Sequence, residues 1–232
     1  MLWVESLIPS RKHCTGTLII IACLILDRTV QAQEADYIQA ALHVQNVETE
    51  LDVEGRLRET RFASINFSLR EQLAETVDGA LLLGYLDVRQ KTNPILAGPN
   101  TAGGYIGIDL RWHLLNRERF KILTTLDYRY VYTDASIDDQ KIEWRWHQLA
   151  IGLHTQTYIS NSLFLILGAS AINIDGVEKS RGPLNQDLDF TAHDSLTSHI
   201  GLQLGTGQSG EISVILQLGA LQGGRIIFQR SF

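Results

Sequence analysis

From Tyr105 to Leu114 the chain alternates apolar and polar residues at every step. Ile106, Ile108, Leu110, Trp112 and Leu114 fall on one face, and Gly107, Asp109, Arg111 and His113 on the other. A period of two is the signature of a half-buried β-strand. Phe120–Tyr132 repeats it, with Ile122, Leu126, Tyr128 and Tyr130 opposing Lys121, Thr125, Asp127 and Arg129. Leu196–Leu204 repeats it again. Extended along the chain, the pattern predicts about ten strands, near 39–53, 56–71, 79–91, 104–115, 119–133, 140–157, 162–175, 194–205, 211–220 and 224–232. The first strand changes phase after Val44 and the sixth near His147–Gln148; a β-bulge at each, or a misplaced boundary, accounts for this. The final hairpin keeps one phase from Ile212 to Phe232, as a three-residue loop Leu221–Gly223 allows, with Gly223 supplying a left-handed residue.

Connections alternate in length. Asn116–Glu118, Tyr158–Asn161 and Thr206–Gly210 are short, whereas Lys91–Gly103 and Gly176–His193 are long and polar. Glu54–Gly55 and Leu221–Gly223 are short on the side where long loops are expected. The predicted fold is all-β: an antiparallel up-and-down barrel of about ten strands, with eight possible.

The start of the chain reads differently. Arg11, Lys12 and His13 precede a nearly all-apolar run, Thr15–Leu26, of about 12 residues. That run is too short for a membrane-spanning helix, which needs about 20 residues. It suits the h-region of a secretory signal, and Val30-Gln31-Ala32 fits the small-x-small cleavage pattern. The expected organisation is therefore a signal peptide over 1–32 and a barrel domain over 33–232. Ile20-Ile21-Ala22-Cys23 also resembles a lipobox, although the apolar run continues past the cysteine. Cleavage removes Arg11, Lys12, Arg28, Glu5 and Asp27, taking the formal charge from −6 to −7. It also removes Cys14 and Cys23, both cysteines of the chain, and with them any disulfide or thiolate site. An acidic chain lacks the basic face of a nucleic-acid binder, so no nucleic-acid partner is expected. Nor is any cofactor or metal: the sequence has no glycine-rich phosphate loop, no zinc spacing and no nucleophile elbow.

Alternation alone does not say which face is inside. A soluble barrel turns its apolar face inward, and a membrane barrel turns it outward. The signal segment, the alternating connections and the aromatics near strand ends (Phe120, Tyr128, Tyr130, Tyr132) favour the membrane. So do the charged residues on the opposite face, which an apolar core would bury only at heavy cost. The chain ends in Phe232, with Phe228 and Ile226 on the same face, and this resembles the terminal-strand signature of bacterial outer-membrane β-barrels. Arg230 departs from that signature. The resemblance implies residence in the outer membrane of a Gram-negative envelope, with both mature termini periplasmic. It further implies assembly by the barrel-assembly machinery and contact with outer-membrane lipid and lipopolysaccharide. A soluble periplasmic barrel that binds a ligand is the alternative.

The other face carries a repeated motif: Asp87-Val-Arg89, Asp109-Leu-Arg111, Asp127-Tyr-Arg129 and Glu143-Trp-Arg145, extended by His113 and His147. At spacing two, these ten residues are expected to point into the lumen. With hairpins centred near Pro99 and Ser136, Arg89 faces Asp109, Asp87 faces Arg111, Asp127 faces Arg145 and Arg129 faces Glu143. The expectation is a ladder of opposed charges that fills a narrow lumen. The function this suggests is a small barrel with a structural, adhesive or narrow-channel role. The alternative is a hydrolase built into the barrel. Asp187, Asp189, His193, Asp194, Asp134, Asp138 and Asp139 lie in the presumed outer loops, and omptin-type surface proteases carry acid pairs and an Asp–His pair at such a rim. No specific omptin motif is present. Lipid-modifying barrel enzymes use Ser and His, but Ser198 and His199 are adjacent and point to opposite faces; His43 and His154 stand alone.

Overall fold

The structure is a computed structural model that describes residues 38–91, 101–137, 139–160, 162–206 and 209–232. The predicted signal segment, the predicted hairpin centre at Pro99 and Asp138 lie outside the described residues. Every regular element among the described residues is a strand: β1 (Ile38–Val53), β2 (Arg56–Ala74), β3 (Val77–Gln90), β4 (Thr101–Arg117), β5 (Phe120–Ile137), β6 (Gln140–Ser160), β7 (Leu163–Arg181), β8 (Gln186–Ala192), β9 (Leu196–Gly205), β10 (Gly210–Gly219) and β11 (Gln222–Ser231). All neighbouring pairs are antiparallel, and β1 pairs with β11, so the sheet closes. Phe232 donates its amide to the Ile38 carbonyl and finishes the seam.

Ten of these strands form the ring expected from the sequence. The eleventh, β8, lies in the long connection after β7. It pairs with the upper part of β7 on one side, and on the other Phe190–Ala192 pair with Leu51–Val53 of β1. Strand β9 continues below it along Leu163–Ala171 of β7. The β10–β11 hairpin stops beneath β8. The barrel therefore closes through ten strands at the end holding the chain termini, and through eight (β1–β8) at the far end.

The β10–β11 register pairs Gln217 with Gly223, so the hairpin closes two residues earlier than the expected three-residue loop. The phase is preserved. Ala220 and Leu221 instead tuck inward, both about 95% buried, with the Leu221 amide donating to Thr197 Oγ1. In the β1–β2 turn Glu54 and Gly55 both have positive φ, 50° and 80°, the geometry of a type I′ turn.

No bulge accompanies the phase changes in β1 and β6: the β1–β2, β5–β6 and β6–β7 registers run unbroken through Val44 and through His147–Gln148. The faces exchange polarity instead. On β1 the outward residues run Leu42, Val44 and then Asn46, Glu48, Glu50; the inward ones run His43, Gln45 and then Val47, Leu51, Val53. On β7 the outward side passes from Leu165, Leu167, Ala169 and Ala171 to Asn173 and Asp175. One barrel thus has two halves. The terminal half is apolar outside and polar inside, as a lipid-embedded barrel requires. The distal half is polar outside and apolar inside, as a water-soluble barrel requires.

Candidate functional site

The lumen follows this division. The distal half is filled by one apolar cluster that includes Leu51, Phe62, Ile142, Trp144, Trp146, Ile174, Phe190 and Leu221. Trp144 and Trp146 point inward as alternate residues of β6 and pack edge-on, with Phe190 of β8 tilted against Trp144 at 5.0 Å between ring centroids. Gly176 opposite Trp146 leaves the room this needs: a Cβ there would sit 2.5 Å from Trp146 Cβ. A buried ion pair crosses the plug, from Arg58 Nη1 to Glu178 Oε2 at 3.2 Å.

The terminal half holds a polar cavity of about 550 Å3. Ile172 and Leu221 form its floor against the plug, while Glu75 of the β2–β3 turn and Ser231 at the end of β11 mark its mouth. Its deep wall carries four guanidinium groups, Arg70, Arg111, Arg129 and Arg225, and three carboxylates, Asp78, Asp109 and Asp127. Arg129 grips Asp127 with two bonds, Nε at 2.8 Å and Nη2 at 3.0 Å. Arg111 Nε donates to Asp109 at 3.2 Å, and Arg70 donates to the same oxygen from β2. His113 Nε2 lies 2.8 Å from Asp78 Oδ2. Histidines add a short polar chain: Thr125 Oγ1 to His154 Nε2 at 2.8 Å, then His154 Nδ1 to His199 Nε2 at 2.9 Å. His43 Nε2 is 3.0 Å from Ser68 Oγ, but neither residue lines the cavity, so the pair meets no solute there.

The structure places Asp109, Arg111, His113, Asp127 and Arg129 in the lumen. It places Asp87, Arg89, Glu143, Arg145 and His147 on the outer face of the distal half. Their neighbours Leu86, Val88, Trp144 and Trp146 take the inward positions. The cause is register. Strand β3 pairs Ala80 with Asp109 and Asp78 with Arg111, and β5 pairs Asp127 with Ala150 and Arg129 with Gln148. Both differ from the expected registers by an odd step, and an odd step reverses faces. Three of the four acid-x-Arg motifs, Asp109–Arg111, Asp127–Arg129 and Glu143–Arg145, pair along their own strand, and Asp109 also takes Arg70 from β2.

A cross-strand ladder of charges does exist, outside. Asp134, Glu143, Lys179 and Asp187 form one row across β5–β8. Lys141 and Arg145 bracket Glu143, each at 2.8 Å, and hold its carboxyl below the usual range, Lys141 first. Arg181 does the same for Asp187. Tyr128 OH meets His147 Nδ1 at 2.7 Å at the edge of the apolar belt. Asp187 and Asp134 are thus separated by three strand spacings, roughly 14 Å. The amide of His193, at the β8–β9 junction, bonds to the Glu50 carbonyl. Among the described residues no three His, Cys, Asp or Glu side chains stand close enough to hold a metal ion.

Sequence reasoning missed Arg70, Arg225, the Arg58–Glu178 pair and the contact between His154 and His199. Arg70 and Arg225 each share a face with polar residues at alternate positions (Asn66, Ser68, Arg70; Arg225, Gln229, Ser231, with Ile227 the apolar exception), the one signal that could have found them.

No protein-family model and no curated protein sequence matches the chain. Its fold is similar to that of an outer membrane channel from Pseudomonas putida F1: 11% identity, TM-score 0.50, over 87% of this chain and 97% of that one. Similar too are the outer membrane protease OmpT from Escherichia coli (8% identity, TM-score 0.49, 86% and 98% covered) and the translocator domain of the autotransporter NalP from Neisseria meningitidis (10%, 0.47, 94% and 95%). The chain has the fold of the bacterial outer-membrane β-barrels.

Proposed function

We propose that this protein is an outer-membrane barrel closed to solutes: its terminal half is a lipid-embedded anchor, and its distal half is a water-compatible head that serves a structural or adhesive role outside the membrane. One observation carries the reading, the exchange of face polarity along continuous strands. Outward Ile65, Phe67, Leu69 and Leu73 on β2, Leu81 and Leu83 on β3, Ile106 and Ile108 on β4, and Ile200, Leu202 and Leu204 on β9 make the belt. On β2 that belt runs over nine residues, Ile65–Leu73, roughly 20 Å of height at a strand tilt of about 45°. Above it the apolar cluster around Trp144, Trp146 and Phe190 occupies the lumen. In this reading the termini and the cavity mouth face the periplasm, residues 1–32 direct export, and the head meets lipopolysaccharide and the exterior. Ile226 and Phe228, exposed on the last strand, and Phe232, exposed just after it, fit a role as the signal for barrel assembly.

The test joins two measurements on the full chain. Heat-modifiable migration, extraction only by detergent, and silence in planar bilayers are the expected results. Steady large conductance would overturn closure, and solubility without detergent would overturn the anchor. Deleting Phe232 should lower the amount of folded barrel in the outer membrane.

A further inference from the structure

On the deep wall of the cavity four guanidiniums meet three carboxylates, while Lys121, Glu75 and Glu211 line it nearer the mouth. Asp127 is occupied by Arg129, Asp109 by Arg70 and Arg111, and Asp78 bonds to His113. Arg225 is left over. It sits on β11 and lines the cavity, and among the described residues no carboxylate or hydrogen-bond acceptor pairs with it; its Nε is buried and unsatisfied. In the ten-strand ring β11 lies five strands from β5 in either direction, so Arg225 and Arg129 project from opposite walls. The charges acting most strongly on Arg225 are those of Arg129 and Arg111, and both are repulsive. The neighbouring glutamines supply no compensating charge: Gln45 donates to Gln217, and Gln229 to Glu211 nearer the mouth. A buried guanidinium facing two others is costly unless an anion lies between them, and guanidinium donors match oxyanion geometry in two-point contacts.

We propose that the cavity is a binding site for a small oxyanion, phosphate-like or carboxylate-like, which enters from the terminal end and is held between Arg225 on one wall and Arg111 and Arg129 on the other. The site takes one small solute, since the plug closes its far side. It deepens the closed-barrel reading without depending on it, because the arginines lie below the plug.

The test uses the full chain folded in detergent micelles, with inorganic phosphate as probe and chloride added to hold ionic strength constant. Phosphate should raise the unfolding temperature in a saturable way and give a binding isotherm by calorimetry. Arg225→Gln should abolish both responses. It should also raise the unfolding temperature without phosphate, because it removes an unpaired buried charge; a merely structural arginine would show a fall. Arg56→Gln, at the exposed start of β2, should keep the full phosphate response. Citrate in place of phosphate separates the sources: a response to citrate alone assigns the site to carboxylates, and a response to phosphate alone to phosphoryl groups. No saturable response to either anion, or a response that survives in Arg225→Gln, overturns the proposal. Conductance of the wild-type barrel together with an intact, Arg225-dependent phosphate response would overturn closure and leave the anion site standing.

Discussion

Arg58 and Glu178 are 120 residues apart in the chain and meet inside the plug at 3.2 Å, with side-chain exposures of 8% and 1%. Arg58 belongs to β2 and Glu178 to β7, and between those strands at this level lie only β1 and β8. The pair therefore clamps the seam at which the ring narrows from ten strands to eight. Its value is geometric as much as energetic: desolvation consumes much of the Coulomb attraction, but a half-broken pair leaves a charge stranded in apolar surroundings.

Glu178→Ala should accordingly cost about 3–5 kcal/mol in unfolding experiments in micelles. Replacing both partners, as Arg58→Met with Glu178→Leu, should recover most of that loss. The check is a double-mutant cycle by chemical denaturation. A double variant that loses the sum of the two single losses would show that the two side chains act independently.

The plug offers a second test. Trp144 is 1% exposed and Trp146 2%. Truncating a buried tryptophan to alanine costs roughly 3–5 kcal/mol and leaves a void. Trp144→Ala should lower stability by that amount, and adding Trp146→Ala should give a barrel that passes small ions in planar bilayers. A folded double variant as silent as the wild type would place the closure elsewhere than in the aromatic cluster.

The third concerns the lumenal charges. Asp109 accepts from both Arg70 and Arg111, so Asp109→Asn should destabilise the barrel by several kcal/mol through two stranded guanidiniums. Arg111→Ala should cost less, because Arg70 keeps Asp109 paired. Exchanging Asp87 and Arg111 should rescue nothing, since Asp87 lies on the outer face opposite Ala63 and Ala102. Rescue by that exchange would mean that the β3–β4 register differs from the one described.

Ten strands, their order and the terminal Phe232 were legible because period-two alternation and turn residues are local signals. The two-sided character of the strands was not. A strand that leaves lipid for water swaps the polarity of both faces at once, and in one sequence that looks the same as a bulge. The clue was the recurrence of the swap at one height: after Val44 in β1, near Gln148 in β6 and after Ala171 in β7. Registers were hidden for a different reason. They depend on how two strands are offset, and β3 and β4 pair Val88 with Thr101 and Ala80 with Asp109 rather than Arg89 with Asp109, an odd offset that moves Asp87 and Arg89 from lumen to surface. Strand β8 carries only seven residues and borrows partners from two distant strands, so its own sequence has little to reveal it.

The exchange of faces itself predicts how one substitution should behave at two heights on β3. Leu83 points outward in the apolar belt, 66% exposed, and Arg89 points outward six residues further along the same strand, above the belt. If the terminal half sits in lipid, a charge at Leu83 must leave water for hydrocarbon. Leu83→Arg should then cost about 2–4 kcal/mol for folding into bilayers, the penalty for a cation near the midplane. Arg89→Leu removes a charge from a face already in water, where an exposed ionic contact is worth at most about 1 kcal/mol, and should change stability by no more than that. The comparison is made by reversible folding into vesicles of defined lipid and again in aqueous detergent. The Leu83→Arg penalty should shrink in micelles, whose surface deforms around the charge, while the Arg89→Leu effect stays small in both. Equal effects at the two positions in vesicles would mean that the belt does not meet lipid, and that the polarity exchange has another cause.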